Sequence, residues 1–324
     1  MPLVTIILNS YNQREYLREA VESALAQTLT DFELLIIDNG STDGSHELLR
    51  SFDDPRIRLV LNTTNVAVSR RFNEAVALAR GEYICFLYSD DYFLPHKLEH
   101  QVALFRQLPS DYGVVYGPGY ALSQKTGVRW IQPCMDFSGL ILESIFVHFR
   151  RGFLNMIAPM AKRECFLRYP FYDDIFAEGE SIFFRLAMTY RFHYDSEPTA
   201  VWRDHGLNRG KAIKPNHEMV SRVLERLGQQ PDFPAASQAS LRGLRASLNR
   251  EHSWGMLRLD GDAAWARAQL RNVLAIAPRE ALHPRFMAAV ALAAVPSPVR
   301  RALNRLGNVL RPTHQSRVII EDYS

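Results

Sequence analysis

This sequence of 324 residues lacks the motifs of two common phosphate-binding loops, and it lacks the cysteine spacing of a disulfide framework or a zinc site. It contains neither Gly-x-x-x-x-Gly-Lys-Ser/Thr nor Gly-x-Gly-x-x-Gly, so a P-loop and a dinucleotide-binding loop are both excluded. Its cysteines, Cys85, Cys134 and Cys165, lie far apart without Cys-x-x-Cys spacing. We therefore expect core thiols rather than a disulfide framework or a zinc site.

Long hydrophobic runs are also scarce. The closest, Phe286 to Val295, is too short to span a bilayer. The N-terminus lacks the basic region and cleavage site of a signal peptide, which predicts a cytoplasmic protein. With 47% hydrophobic and 23% charged residues, the chain has the composition of a globular protein with a sizeable core.

Charge is unevenly distributed along the chain. Residues 201–324 hold 19 Lys and Arg against 10 Asp and Glu, whereas residues 1–200 hold 19 against 25. A basic end on an acidic body predicts an anionic partner, either a membrane surface or a nucleic acid. Because the excess arginine carries no recognisable nucleic-acid-reading motif, we expect no nucleic acid partner.

Short apolar runs alternate with amphipathic stretches over the first 90 residues. Strands joined by helices in this order predict a parallel, doubly wound α/β sheet, with the polar loops gathered at the carboxyl edge of the strands. The predicted strands are 3–8, 32–37, 57–61 and 83–88, and the predicted helices are 14–26, 45–52 and 69–79.

One of these runs ends abruptly in two adjacent carboxylates. Ser89, Asp90 and Asp91 directly follow the strand 83–88. Adjacent carboxylates repel each other unless a cation shares them, and oxygen ligands suit Mg²⁺ or Mn²⁺. Taken alone, the residues leave two interpretations open: a metal site, or a cap for the helix that starts near Pro95.

The loops that follow the first, second and fourth strands are expected to converge. Together they supply an aromatic ring, amide and carboxylate hydrogen-bond acceptors, and the two adjacent carboxylates that could bind a metal ion. A binding site for a nucleotide diphosphate requires these groups. Since no glycine-rich phosphate cradle is present, we expect a metal to neutralise the phosphates. The converging residues are Asn9, Tyr11, Asp38, Asn39, Asp90 and Asp91.

Four segments carry a resemblance to a known family. They are Val4-Thr-Ile-Ile-Leu-Asn-Ser-Tyr-Asn12, Leu35-Ile-Ile-Asp-Asn-Gly-Ser-Thr-Asp43, Gly81-Glu-Tyr-Ile-Cys-Phe-Leu-Tyr-Ser-Asp-Asp91 with Pro95, and Trp202-Arg-Asp-His205. In order and spacing they resemble the bacterial family 2 inverting glycosyltransferases, which have the GT-A fold. The resemblance covers roughly residues 1 to 210.

The resemblance implies a UDP- or dTDP-sugar as donor and gives most of these residues a role. Asn9 and Tyr11 would flank the base, while Asp38 and Asn39 would hold the ribose and the base. Ser89 would complete the nucleotide site.

The metal site is implied in the same way. Asp90 would be the ligand of the Asp-x-Asp motif, with Mn²⁺ or Mg²⁺ as cofactor, and Asp91 would face the donor sugar or the acceptor. His205 would reach the metal or the diphosphate. Arg70 and Arg71 lie at the same edge of the sheet. Two interpretations of them remain equal: they contact phosphate, or they are ordinary solvent-exposed charges on a helix.

The sequence departs from the family pattern at two positions. Tyr88 stands where the first Asp of Asp-x-Asp is usual, so we expect weaker metal affinity. Asn39 stands where a second Asp is common, but it keeps an acceptor oxygen.

Inverting transfer needs a base that takes the proton of the attacking acceptor hydroxyl. The family places it in a Glu-Asp motif at a helix start, which matches Glu180 or Glu178 here without the Asp. We expect Glu180 to be the base, with its pKa kept low by the helix N-terminus, and hold Asp173 and Asp174 in reserve. The competing interpretation is that these acids only stabilise a helix N-terminus.

The last third of the chain is helical in pattern, with Pro and Gly between segments. The predicted helices are 219–227, 240–259, 263–276, 284–294 and 299–310. The last of them combines arginines with leucines, so an anionic membrane and an ordinary surface packing remain equal interpretations.

The resemblance implies a GT-A fold, and with the residue patterns it predicts a doubly wound mixed sheet, a catalytic domain 1–214 and a basic helical region 215–324. We expect a cytoplasmic, metal-dependent enzyme that transfers a sugar, with inversion, from a nucleotide-sugar donor to a glycan, lipid-linked or cell-surface polysaccharide acceptor. Peripheral contact with the inner face of the cell membrane is one of two open interpretations of its basic end. A homodimer is among the expected assemblies. The rival is a non-catalytic binding or scaffold member of the same fold.

Overall fold

A computed structural model of the chain describes residues 1–149, 152–175, 177–205, 213–259 and 261–310. Its backbone divides into two compact units, with the division between residues 207 and 208.

The first unit opens with the predicted alternation of strands and helices. The observed elements match the prediction to within two residues at each end and occur in the predicted order. They are β1 (Val4–Ser10), α1 (Arg14–Leu25), β2 (Phe32–Asp38), α2 (Ser45–Arg50), β3 (Ile57–Leu61), α3 (Val68–Leu78) and β4 (Tyr83–Tyr88).

The remainder of the first unit consists of shorter elements. They are β5 (Tyr92–Phe93), α4 (Lys97–Gln107), β6 (Tyr112–Tyr116), β7 (Gly119–Ser123), β8 (Arg129–Gln132), α5 (Leu142–His148), β9 (Met160–Lys162), α6 (Arg163–Arg168), α7 (Glu178–Leu186), β10 (Arg191–Tyr194) and β11 (Ala200–Asp204).

Among the described residues, seven strands form one sheet in the order β10-β6-β9-β4-β1-β2-β3. β1 lies between β2 and β4 and is parallel to both, whereas β9 pairs antiparallel with β4 and β6. The predicted doubly wound mixed sheet is thereby confirmed. Since β1, β2 and β4 are parallel, their carboxyl ends lie side by side.

The core explains why these strands are so apolar. Every residue of β1 and β2 is buried, because helices cover the sheet on both faces. Gly81 just before β4 approaches β1 so closely that a Cβ there would lie 2.5 Å from the Thr5 amide nitrogen. The start of β4 is therefore fixed against β1 by backbone contact.

A second, four-stranded sheet is built from described strands in the order β5-β11-β7-β8. β5 follows directly on the carboxylates after β4 and pairs antiparallel with β11. This pairing brings the end of β11, with Arg203 and His205, to the carboxyl edge of the larger sheet.

The second unit is helical, which confirms the predicted helical extension. Its described elements are α8 (Ile213–Gly228), a 3₁₀ turn (Ala235–Ser237), α9 (Gln238–Arg258), α10 (Ala263–Ile276), a second 3₁₀ turn (Pro278–Leu282), α11 (Pro284–Ala294) and α12 (Ser297–Leu310). Its apolar cluster joins α9, α10 and α11 and includes Leu257, Leu270, Val273 and Phe286.

The observed bounds add detail to these predictions. α7 begins at Glu178 and ends at Leu186, so Glu178 and Glu180 both lie in its first turn. α8 begins at Ile213, six residues before the predicted start. The cysteines are free thiols as predicted, with Cys85 and Cys165 buried and Cys134 half-buried. Within the described ranges, no helix has the length and apolar character needed to cross a bilayer.

Candidate active site

The loops after β1 and β2 form one structure at the carboxyl edge. Asn12 has a positive φ of 51°, and its side-chain oxygen accepts a hydrogen bond from the Thr42 amide at 2.8 Å. Its own amide donates to Ser41 Oγ at 2.9 Å, and the Arg14 amide donates to Asp43 Oδ2 at 2.9 Å. The two loops are thus tied together as predicted from their shared edge.

Asp38 at the end of β2 is fully buried and organises its own loop. Its Oδ1 accepts from the amides of Gly40 (3.0 Å) and Ser41 (2.8 Å) and contacts His46 Nε2 at 2.7 Å. Its Oδ2 accepts from Ser41 Oγ at 2.6 Å. Gly40 has a φ of +87° and lies against the backbone of Thr64, so no other residue fits there. Both carboxylate oxygens of Asp38 therefore hold the loop.

Asn39 and Arg71 belong to the same scaffold. The Asn39 oxygen accepts from Arg71 Nε at 2.8 Å, and the Asn39 amide donates to Asn65 Oδ1 at 2.7 Å. The Arg71 guanidinium is buried and also bonds Glu74 and the Thr64 carbonyl. This geometry favours a role for Arg71 in ordering the loop over contact with phosphate, and its burial does not fit the other interpretation, a solvated helix charge.

The end of β1 places three predicted nucleotide contacts together. Asn9 is buried, and its Nδ2 donates to the Ile37 carbonyl at 3.4 Å, while its own carbonyl accepts from the Ser89 amide at 3.1 Å. Tyr11 follows β1 and is half-buried. Ser89 is buried, and its hydroxyl donates to Gln13 Oε1 at 2.5 Å. Strand pairing thus accounts for the positions of Asn9 and Ser89.

Asp90 lies between two side chains from distant parts of the chain. Its Oδ2 accepts from Gln13 Nε2 at 3.0 Å and lies 3.1 Å from His205 Nε2. The His205 ring stacks on Tyr16, with ring centroids 6.0 Å apart. The sequence does not predict a role for Gln13, because a Gln beside a helix start is an ordinary surface residue. Its position next to Asn12, in the loop after β1, is the one feature that could have indicated such a role.

The Asp90 and His205 pair has the spacing of two neighbouring metal ligands. Ligands on adjacent octahedral positions, each about 2.1 Å from Mg²⁺ or Mn²⁺, lie about 3 Å apart. A carboxylate oxygen and an imidazole nitrogen are also suitable donors. Among the described residues, no group of three or more His, Cys, Asp or Glu side chains is arranged to hold a metal. The pair would therefore need ligands from elsewhere, such as diphosphate oxygens.

Asp91 is buried and faces the end of β11 instead of a helix. Its Oδ1 accepts from the Arg203 amide at 2.9 Å. Burial and the neighbouring Asp90 charge raise the pKa of Asp91 well above its ordinary value. The helix-capping interpretation of both acids is wrong, because α4 is preceded by His96 and receives no side-chain cap.

Arg203 is fixed by contacts on every side. Its guanidinium pairs with Glu19 and lies over the rings of Tyr16 (5.2 Å) and Tyr92 (5.4 Å). A guanidinium held between two aromatic faces keeps the backbone of β11 in place. Because the backbone of β11 is held in place, the Arg203 amide stays within hydrogen-bond distance of Asp91.

Tyr88, the departure from the family pattern, lies among carboxylates. Burial raises the pKa of Tyr88 well above its ordinary value, and the charges of Glu178, Asp91, Asp90 and Glu180 raise it further, in that order. Its ring also packs on Phe72, with centroids 5.9 Å apart. The phenol therefore stays neutral, with carboxylates after β4 and in the first turn of α7 close enough to affect it.

Glu178 and Glu180 share the first turn of α7. Glu178 is buried, and Glu180 is half-buried. The expectation that the helix N-terminus keeps the pKa of Glu180 low is wrong: desolvation raises the pKa of Glu180 above its ordinary value. The reserve acids lie in the preceding exposed loop, where Asp173 Oδ1 accepts from Asn73 Nδ2 at 2.7 Å.

Comparison with known proteins identifies the family. The model described as Glycosyl transferase family 2 matches residues 5–168, about half of the chain. The chain belongs to glycosyl transferase family 2. The match includes β1 to α6, and so all the loops described at the end of β1, β2 and β4.

Two relatives of this family 2 protein come from Rickettsia and Bacillus. An uncharacterized glycosyltransferase of Rickettsia felis is 28% identical over 229 residues, which cover 69% of this chain and 37% of the relative. The putative teichuronic acid biosynthesis glycosyltransferase TuaG of Bacillus subtilis is 34% identical over 128 residues, which cover 39% of this chain and 50% of TuaG. The chain thus spans a third to a half of the length of these relatives.

Solved structures confirm the GT-A architecture. S. aureus TarS 1–349 in complex with UDP-GlcNAc superposes with a TM-score of 0.69 at 15% identity, covering 100% of both chains. The mannosyltransferase PcManGT from Pyrobaculum calidifontis, in complex with GDP-Man and Mn²⁺, gives 0.59 at 17% identity, covering 94% of this chain and 87% of that one.

Proposed function

We propose that this protein transfers a sugar, with inversion, from a UDP- or dTDP-sugar to a glycan or lipid-linked acceptor of the cell envelope. Its membership of glycosyl transferase family 2 supports the transfer, and the name of TuaG supports an envelope polysaccharide as product. TarS with UDP-GlcNAc supports a nucleotide-sugar donor.

The single observation that carries the proposal is the 3.1 Å contact between Asp90 and His205 beside the loops of Asn9 and Tyr11. An acid and an imidazole at this spacing fit two positions of a Mn²⁺ or Mg²⁺ site, and PcManGT is named with Mn²⁺. When bound there, the metal would neutralise charge on the departing diphosphate. Asn9 and Tyr11 would then hold the nucleoside on the adjacent loops.

The acceptor side lies at the first turn of α7. The acceptor hydroxyl oxygen attacks the anomeric carbon as the bond from that carbon to the diphosphate oxygen breaks, and the hydroxyl proton passes to the Glu180 carboxylate. Because burial raises the pKa of Glu180, its ionised form is a stronger base than an exposed glutamate. Glu178, buried two residues earlier, is the alternative base, and Asp91 would orient the donor sugar.

The neutral Tyr88 phenol favours a second candidate function: a family member that binds nucleotide sugars but does not catalyse sugar transfer. A phenol in place of a carboxylate leaves less negative charge near the metal. Both candidates bind the donor, and only the first releases the nucleoside diphosphate.

A donor screen separates these candidates. Nucleotide sugars with different bases are added to the full chain with Mn²⁺ or with a chelator, and thermal stability and nucleoside diphosphate release are both measured. The transfer proposal predicts a donor that raises Tm with Mn²⁺ and releases nucleoside diphosphate. A rise in Tm with no release, even with acceptor glycans added, supports the non-catalytic candidate, and no rise with any donor contradicts both.

A further inference from the structure

The second unit contains a cleft between α8, α9 and α10. Its volume is about 610 Å³. Packed helices normally leave gaps no larger than a water molecule, and volumes of this size are typical of small-molecule sites. The cleft can therefore accommodate a ligand of the size of a short oligosaccharide.

One lining residue of the cleft is a buried histidine with polar partners. His217 is buried, and its Nδ1 lies 2.8 Å from His252 Nδ1, while its Nε2 lies 3.4 Å from Ser221 Oγ. The ring stands edge-on to Trp265, with centroids 5.1 Å apart. Burial lowers the pKa of His217, so the ring is neutral at physiological pH. A ligand in the cleft would meet a buried, uncharged imidazole here.

Amide side chains form one wall. Asn249 is buried, and its Nδ2 donates to the Arg245 carbonyl at 2.8 Å. Gln269 and Asn272 line the cleft one turn apart on α10, and Asn272 Nδ2 donates to Gln269 Oε1 at 3.0 Å. Each amide offers both a donor and an acceptor, as does a sugar hydroxyl. A wall that contains three amides therefore suits a ligand rich in hydroxyl groups.

Charge and an aromatic ring complete the lining. Arg222 and Arg245 outnumber the acidic Glu218, and Trp265 is half-buried in the wall. Arginine forms paired hydrogen bonds to carboxylate and phosphate. The lining therefore favours a ligand that carries negative charge as well as hydroxyl groups.

We propose that this cleft binds a short segment of an anionic glycan through Arg245, Asn249, Trp265 and Gln269. The choice of a glycan rests on the proposed sugar transfer by the first unit. The polar lining itself, with its amides and arginines, is independent of that proposal.

The test is calorimetric titration of the full chain with an oligogalacturonide, in the absence of any nucleotide sugar. A maltooligosaccharide of equal length is the neutral probe, and inorganic phosphate is the competing anion. Arg245→Ala removes a lining charge, Arg245→Lys keeps it, and Arg242→Ala, on the same helix but outside the lining, is the matched control. Gln269→Leu removes an amide without touching the charge.

We expect saturable binding of the oligogalacturonide, weakened about 10-fold by Arg245→Ala and by Gln269→Leu, largely kept by Arg245→Lys and unchanged by Arg242→Ala. Equal binding of the neutral probe, full displacement by phosphate at similar concentration, or indifference to both Arg245→Ala and Gln269→Leu would each overturn the proposal. Because no nucleotide sugar is present, a negative titration argues against glycan binding in the cleft and not against sugar transfer. A negative donor screen argues against sugar transfer and leaves the titration result unchanged.

Discussion

The Asp90 carboxylate and the His205 imidazole lie 3.1 Å apart, although they follow strands of two different sheets. Asp90 follows β4 of the larger sheet, and His205 follows β11 of the smaller one. Pairing of β5 with β11 brings the two ends together. The site therefore forms only when both sheets are folded.

Gln13 positions Asp90, and its loss is expected to weaken binding of the metal and diphosphate. Gln13→Leu removes the hydrogen bonds to Asp90 Oδ2 and Ser89 Oγ while keeping similar volume. Partners of metal ligands typically change affinity by 10- to 100-fold, so Kd for Mn²⁺ with UDP should rise about 10-fold. The exposed Gln107→Leu is the control. Unchanged affinity in Gln13→Leu would show that Asp90 needs no such support.

Glu180 is predicted to be the base. Glu180→Gln keeps the shape but not the basicity, so kcat should fall by roughly 10²- to 10⁴-fold with donor affinity little changed. The exposed Glu164→Gln should retain full turnover. If Glu178→Gln or Asp174→Asn loses turnover while Glu180→Gln retains it, the base has been assigned to the wrong acid.

The same assignment has a consequence for pH. A base acts when ionised, so kcat/KM should fall as pH drops through the pKa of Glu180. Because burial raises that pKa, the acid limb should lie above 4.5, the ordinary value. A limb at or below that value in the wild type would contradict a glutamate base whose pKa is raised by desolvation.

Lys97 makes stability depend on pH. It is fully buried, donates to the Ala158 carbonyl at 2.6 Å, and has its pKa lowered by burial from 10.5 to about 8. Between these values the unfolded chain binds the proton and the folded chain does not, so this group stabilises the fold increasingly as pH rises.

Lys97→Met should remove that increase. The free energy of unfolding of the wild type, relative to Lys97→Met, should rise by up to about 3 kcal/mol between pH 8 and pH 10.5. Urea unfolding at several pH values measures it, with the exposed Lys125→Met as control. Parallel curves for wild type and Lys97→Met would place the folded-state pKa near its ordinary value.

Helix α12 is predicted to bind anionic membranes. Its buried side chains include Arg300 and Asn304, and Asn304 Nδ2 donates to the Leu257 carbonyl at 2.9 Å, whereas Val299 and Leu303 are exposed. Apolar groups thus face outward beside exposed arginines at 301 and 305, an arrangement suited to an acidic lipid surface.

Vesicle sedimentation tests this prediction. Binding to acidic vesicles should weaken with salt, should fall about 10-fold in Val299→Ser/Leu303→Ser, and should be lost on deletion of 299–324. Ala302→Ser, also exposed, is the control. Binding that ignores salt, or no binding to acidic vesicles, would leave α12 as an ordinary surface helix.

Local patterns were sufficient to predict the strands that carry the site. The bounds of β3 and β4 were predicted to the residue, because short apolar runs that end in polar loops have few other interpretations. β5 has two residues and exists through its pairing with β11, more than 100 residues away, so no local pattern could indicate it.

Side-chain partners were harder to predict than strands. The sequence indicated Asp90, but its contacts with Gln13 and His205 depend on how two sheets meet. The pKa of Glu180 was predicted in the wrong direction, because a helix N-terminus is visible in the sequence and burial by distant residues is not.

Titration of UDP and dTDP into the full chain, with Mn²⁺ and with a chelator, tests most directly whether Asp90 and His205 bind the metal of a nucleotide diphosphate. We predict that chelator weakens wild-type binding at least about 10-fold, that Asp90→Ala binds equally weakly in both conditions, and that the exposed Asp53→Ala behaves as wild type. Equal wild-type affinity with Mn²⁺ and with chelator would contradict the assignment of this pair.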